Sequence, residues 1–185
     1  LDEQKRLVGV AVDAVVDSLR ATTLGREGQR VATVEHLLAA LAAERIDNAR
    51  IEVDGPELPV LDGSAVTWLA LIDAAGRREQ DARCRPLVPE APVEVADGLR
   101  RARLVPAPRT AWDVRVEYDH PLLRGRQHAG TLTPAAFRRD LAWARTFAFR
   151  TEVEALRAAG LGRGGNLDTV VVLDGEGVLN PGGLR

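Results

Sequence analysis

The chain has 185 residues, 25 basic and 27 acidic side chains, a formal net charge of -2, and 45% hydrophobic against 28% charged residues. That balance excludes a disordered chain and gives no global field for nucleic acid or an anionic membrane. Cys84 is the only cysteine, so no internal disulfide forms, and no apolar run approaches the ~18 residues of a membrane span.

Methionine is absent and the first residue is Leu1, so processing at the N-terminus or a piece of a longer sequence is expected. Leu1 to Arg20 carries Asp2, Glu3, Asp13 and Asp17 and has no signal-peptide core. A soluble, cytoplasmic protein without an integral membrane segment is expected. Val8, Val10, Val12, Val15 and Val16 alternate loosely, compatible with strand or helix. Gly25-Arg26-Glu27-Gly28 reads as a turn. Thr33 is the expected N-cap of a helix over 33–44, since Val34, Leu37, Leu38 and Leu41 form one apolar stripe. A strand is expected over 48–53, with Ile51 and Val53 on one face. Ser64 is expected to cap a second helix with Val66, Leu69 and Ile72 or Ala70 inward, ended by Gly76. Residues 77–85 are charged and aperiodic and read as a linker.

Strands are expected over 88–95, 101–106 and 112–118. Pro134 opens a helix running to about Ala144, with Phe137, Leu141 and Ala144 inward. Thr151 starts another that ends at Gly160. Residues 169–173 read as a buried strand, turned by Asp174-Gly175-Glu176-Gly177 toward Val178. The predicted fold class is α+β, in two similar units: residues 1–78, a linker over 79–86, and residues 87–185.

Chemistry-bearing residues are few. Glu35 and His36 share the first turn of the expected helix and flank its apolar stripe. A metal-binding His beside a carboxylate base fits that placement. A dipole-favoured Glu beside a surface His is the plainer reading. His120 sits at an expected turn and His128 in a Gly- and Arg-containing loop, without helical metal-pair spacing. Arg145-Thr146-Phe147-Ala148-Phe149 lies between two expected helices, where a Thr hydroxyl could donate to an oxyanion and the aromatics could pack a ligand or the core. The glycine-rich 161–166 stretch could line a tunnel or be a plain loop. Arg100, Arg101 and Arg103 read as a solvated strand edge.

Several motifs occur in a fixed order. They are Thr33-Val34-Glu35-His36-Leu37, Ile46-Asp47-Asn48, Glu57-Leu58-Pro59-Val60-Leu61-Asp62-Gly63-Ser64-Ala65, Asp119-His120-Pro121, Ala144 to Phe149, Gly164-Gly165 and Val178-Leu179-Asn180. From about Ala21 to Arg185 the chain resembles UDP-3-O-acyl-N-acetylglucosamine deacetylases, zinc amidases of lipid A (lipopolysaccharide) biosynthesis. The resemblance implies two domains of like topology, with helices sandwiched between two sheets and the active site at their junction. It implies hydrolysis of the acetamido group, with release of acetate. It makes His36 a zinc ligand, Glu35 the general base and Thr146 the donor to the oxyanion. It places Phe147 at the substrate sugar, and Val153, Leu161, Gly165 and Asn166 along the passage for the acyl chain. Asn166 stands where the family more often has Ser.

By the same resemblance the other zinc ligands, a His and an Asp four residues apart on a helix, are expected beyond Arg185, and the opening strands before Leu1. Both units are therefore expected to be incomplete, and the 185-residue chain alone to be an inactive, monomeric fragment of the parent enzyme. A non-catalytic degenerate homologue or UDP-sugar-binding module is the alternative. No nucleic-acid partner is expected.

Overall fold

The computed structural model describes residues 7–158, 166–175 and 177–183. It is an α+β protein. Three short strands, β1 (Val15–Asp17), β2 (Thr23–Arg26) and β3 (Gln29–Val31), form an antiparallel sheet in that order. Glu27 and Gly28, at φ 49° and 81°, make the two-residue turn between β2 and β3. Two successive left-handed residues match the strand twist, which is why Gly occupies the second position. The turn is thus tighter than expected, because Gly25 and Arg26 belong to β2.

Helix α1 (Glu35–Ala43) and helix α2 (Val66–Ala75) pack on each other. Val34, Leu37, Ala40 and Ala43 are buried, with Leu38 and Leu41 packed at the margin, so the expected stripe faces the core. On α2, Trp68, Leu69 and Ile72 are inward, whereas Val66 is exposed, contrary to expectation. Gly76 ends α2 at φ 77°, where its amide donates to Ile72 O at 3.2 Å. The expected strand over 48–53 does not form: Ile51 and Val53 are exposed, and no described strand pairs with them. Alternation needs a partner ladder to become sheet.

Strands β4 (Val93–Asp97) and β5 (Arg100–Leu104) form one hairpin, and β6 (Ala111–Val116) and β7 (Arg126–Thr131) another. Strand β7 was not expected. It carries His128 opposite Val114, not in a loop, and Gly130 makes room for the Trp112 ring, which lies 2.7 Å from where a Cβ would sit. The β5 arginines are exposed, as expected, and Arg101 pairs with Glu94 at 3.2 Å.

Pro134 does open a helix. Thr133 Oγ1 caps it, accepting from the Ala136 amide, and α3 (Pro134–Ala136) then widens into a π-turn over Phe137–Leu141. The Ala142 amide donates to Phe137 O at 2.8 Å. That extra residue rotates the chain beyond it, so Ala142 is buried and Ala144 is exposed, where a 3.6 period put Ala144 inward. Phe137 and Ala142 join the α1–α2 core. Strand β8 (Phe147–Phe149) then leads through α4 (Arg150–Ala158) to β9 (Val171–Asp174), which pairs parallel to β8 and antiparallel to β10 (Gly177–Val178). Strand β8 was also not expected, because the stretch reads as an interhelical link.

At the far end of α1 the Glu44 side chain is only 2% exposed. It accepts from Arg138 Nε at 2.6 Å and pairs with Arg77 at 2.7 Å. Arg138 also grips Asp73 through both terminal nitrogens, at 2.9 and 2.8 Å, and holds that carboxyl below the usual carboxylate range. Four charges thus tie α1, α2 and the π-turn together. Replacing Arg138 by Ala leaves Glu44 with Arg77 alone and is expected to cost about 2 kcal/mol, less than a fully broken buried pair. In the double variant with Glu44→Ala the loss is less than additive. Urea unfolding midpoints at pH 7 check both.

Candidate active site

The site is built on the start of α1. Ala32, just past β3, bridges in parallel to Glu57. Thr33 then adopts φ 60° and its hydroxyl donates to Glu57 Oε1 at 2.6 Å. Thr33 is therefore not the N-cap expected; it reverses the chain, and Val34 precedes the first helical turn. The Val34 amide donates to Thr22 O at 3.3 Å, and the Thr22 amide donates to Glu35 Oε2 at 3.0 Å. This reciprocal pair has the logic of a capping box. It fixes Glu35 through one oxygen. The other oxygen has no hydrogen-bond partner among the described residues, and neither does the half-buried His36 imidazole beside it.

The chain from 57 to 64 connects this turn to a second set of groups. Ala32 donates to Pro56 O at 2.9 Å and accepts from the Leu58 amide at 3.0 Å. Five residues later Gly63 O accepts from the Thr146 amide at 2.9 Å. Five residues reach at most ~18 Å, so the two contacts lie within that distance. Gly63 sits at φ 79°, and a Cβ there would lie 2.0 Å from Thr169 O. Asp62 steadies the turn by accepting from the Ser64 hydroxyl at 2.8 Å, the Ser64 amide at 3.2 Å and the Thr67 hydroxyl at 3.3 Å. Partial burial pushes the Asp62 carboxyl up, but these hydrogen bonds outweigh it and leave it below the usual range. Ser64, expected as the cap of α2, does accept from the Val66 amide at 3.1 Å.

Thr146 stands at the start of β8. Its amide is held by Gly63 O, and its carbonyl accepts from Val171 at 2.9 Å. Its hydroxyl makes no hydrogen bond among the described residues. Arg145 reaches three carbonyls: Nε donates to Asp62 O at 2.9 Å, and one terminal nitrogen to Leu167 O at 3.2 Å and Asp168 O at 2.5 Å. Phe147, 37% exposed, lies edge-on to Tyr118 with ring centres 5.5 Å apart, and edge-on to Phe149 at 6.1 Å. His120 is buried in the turn after β6, and its Nδ1 accepts from the Leu122 amide at 3.2 Å.

The remaining expected residues divide. Val153 is half-buried on α4. Leu161 and Gly165 lie outside the described residues. Asn166 is exposed, and its side-chain oxygen accepts from the Asp168 and Thr169 amides at 2.7 and 3.1 Å, capping its own turn. Asp62, Arg145 and Asn180 stand in the sequence motifs, but sequence reasoning missed the work they perform here. Asn180 is the clearest case: it accepts from the Val172 amide and donates to Leu167 O and Val170 O, closing the turn before β9. Their signal was the Asp-x-Ser spacing and an Arg directly before the candidate Thr. Among the described residues no group of three or more His, Cys, Asp or Glu side chains could hold a metal ion.

The family pattern for UDP-3-O-acyl N-acetylglycosamine deacetylase matches residues 1–185. A protein named UDP-3-O-acyl-N-acetylglucosamine deacetylase from Anaeromyxobacter sp. is 49% identical over 173 residues, covering 94% of this chain and 57% of the relative. One from Myxococcus xanthus is 47% identical, covering 92% and 54%, and one from Syntrophotalea carbinolica 43% identical, covering 100% and 60%. The chain spans a little over half the length of these curated relatives.

Gly63→Ala is expected to lose ~2–5 kcal/mol, the sum of a left-handed Cβ penalty and a backbone clash. Gly28→Ala, where φ is 81° but nothing lies within 4 Å, is expected to lose only ~1–2 kcal/mol. Denaturant titration of both variants makes the comparison. Asp62 titrates lower when folded, so its share of stability is present above about pH 4 and is lost as pH falls through the depressed value. Asp62→Asn should flatten the fall in urea midpoint between about pH 4.5 and pH 3 relative to the parent chain.

Proposed function

Since this chain belongs to the UDP-3-O-acyl N-acetylglycosamine deacetylase family, we propose that it carries one part of the catalytic apparatus of such an enzyme. The reaction is hydrolysis of the 2-acetamido group of a UDP-3-O-acyl-N-acetylglucosamine. Water attacks the amide carbon, the C–N bond breaks, and acetate and a free amine leave. The setting is lipid A biosynthesis, in the cytoplasm. No described helix is long and apolar enough to cross a membrane. The two-unit division about residues 79–86 belongs to the same reading.

The family resemblance implies zinc. A catalytic zinc needs three protein ligands and an open position. Among the described residues no three such donors come together around His36 or elsewhere, so this donor set does not by itself fit the ion. The chain's own residues have roles set by their surroundings. The free oxygen of Glu35 accepts the proton of the attacking water, and the leaving nitrogen takes its proton from the general-acid His that the family resemblance implies. The Thr146 hydroxyl, with no hydrogen-bond partner among the described residues, donates to the carbonyl oxygen as it becomes negative. Phe147 offers an exposed aromatic face to the sugar, and Val153, Leu161, Gly165 and Asn166 border the acyl chain. The observation that supports this reading is a Glu35 carboxylate oxygen and a Thr146 hydroxyl, each without a hydrogen-bond partner among the described residues, on segments that the 58–63 tether links within ~18 Å.

In the whole protein, Glu35→Gln is expected to lower kcat for acetate release ~10²–10⁴-fold, and Thr146→Val ~10²-fold. Release of acetate from UDP-3-O-acyl-N-acetylglucosamine is the readout. Unchanged turnover in Glu35→Gln sinks the assignment of the base.

A further inference from the structure

We propose that Arg145 is a positioning residue that sets where the Thr146 hydroxyl sits; this rests on the reading of Thr146 above. The main chain of Thr146 is held on two sides. Its amide is bonded to Gly63 O, in the 62–64 turn, and its carbonyl to the Val171 amide, at the start of β9. The Arg145 side chain is bonded to the same two walls. Nε takes Asp62 O, and a terminal nitrogen takes Leu167 O and Asp168 O. The planar guanidinium therefore sets the width of the slot in which its neighbour is hung.

Among the described residues no carboxylate pairs with Arg145. Among the described residues all its hydrogen bonds go to main-chain carbonyls, and it has no ion pair. The nearby Asp62 carboxylate is committed to Ser64 and Thr67. Arg138 and Arg77 meet Glu44 and Asp73 instead. A fork that holds carbonyls on two separate segments fixes their distance and angle together. An ammonium places its three donors on one nitrogen at the end of a flexible stem and lacks the rigid fork that fixes the separation of the two segments.

Thr146 contributes only if its hydroxyl meets the developing charge, and small displacements of such a group cost large factors in rate. The test is a cycle in the whole protein, with acetate release from UDP-3-O-acyl-N-acetylglucosamine measured for the parent, Arg145→Lys, Thr146→Val and the double variant. Arg145→Lys is expected to lower kcat ~10-fold with KM changed less than ~3-fold, and to lower it less than ~2-fold in the Thr146→Val background. Equal losses in both backgrounds, a loss carried by KM, or no loss overturn the positioning role while leaving Thr146 intact. Parent-like turnover in Thr146→Val removes the oxyanion reading itself and the proposal with it. A second measurement does not need turnover: amide exchange at Thr146 and Val171 should quicken ~10-fold in Arg145→Lys while the amides of α1 keep their protection. Unchanged exchange at those two amides, or a loss spread evenly over α1, overturns the proposal.

Discussion

The structure turns on the missing side chain of Gly63. Its Cα approaches the carbonyl of Thr169 so closely that no other residue fits, and its own carbonyl receives the Thr146 amide. Three elements meet there: the turn that opens α2, the beginning of β8 and the turn before β9. The two strands that run from this contact, β8 and β9, have only three and four residues. Strands of that length have little stability of their own. They persist because Ser64, Arg145, Asn166 and Asn180 direct side-chain donors and acceptors at the main chain around the contact. The polar side chains of the seam bond backbone or one another, and among the described residues the Thr146 hydroxyl is left without a partner.

Charge is used differently at the two ends of the helix layer. Around Glu44, buried charge is matched by charge, and the cluster ties three helices at a point far along α1 from Glu35. Around Arg145, charge is met by neutral carbonyls. The first arrangement holds element against element. The second holds the separation of two main-chain segments, a finer quantity, because a guanidinium is rigid and carbonyl acceptors are directional.

The helices were legible in the sequence because their apolar residues recur at helical spacing and Gly76 marks a stop. Glu35 and His36 were placed correctly on the first turn by the same argument. Thr33 was misread because Glu57, 24 residues away, supplies a stronger partner than the helix end. Ala144 was misread because a π-turn changes the phase of the face, and no composition cue marks such a turn. Strand β8 was missed because three residues carry no measurable alternation, and β7 because its polar, glycine-containing run resembles a loop until Trp112 is seen to fill the space at Gly130. The seam itself was visible only as a motif. Within it Arg145 and Asn180 fasten the main chain, work that no periodicity marks.

The parallel pairing of β8 with β9 has one further implication. Parallel neighbours require a crossover, and here the crossover contains α4 and the residues up to the Asn166 turn. Both of its ends are pinned: the first by the β8 ladder beside Gly63, the second by Asn166 and Asn180. A connection anchored so firmly at its two feet is free to vary in span between them, since lengthening a loop carries a small entropic cost. Evolution could therefore lengthen or shorten the crossover, and with it the depth of any channel it borders, without disturbing the residues from Gly63 to Phe147.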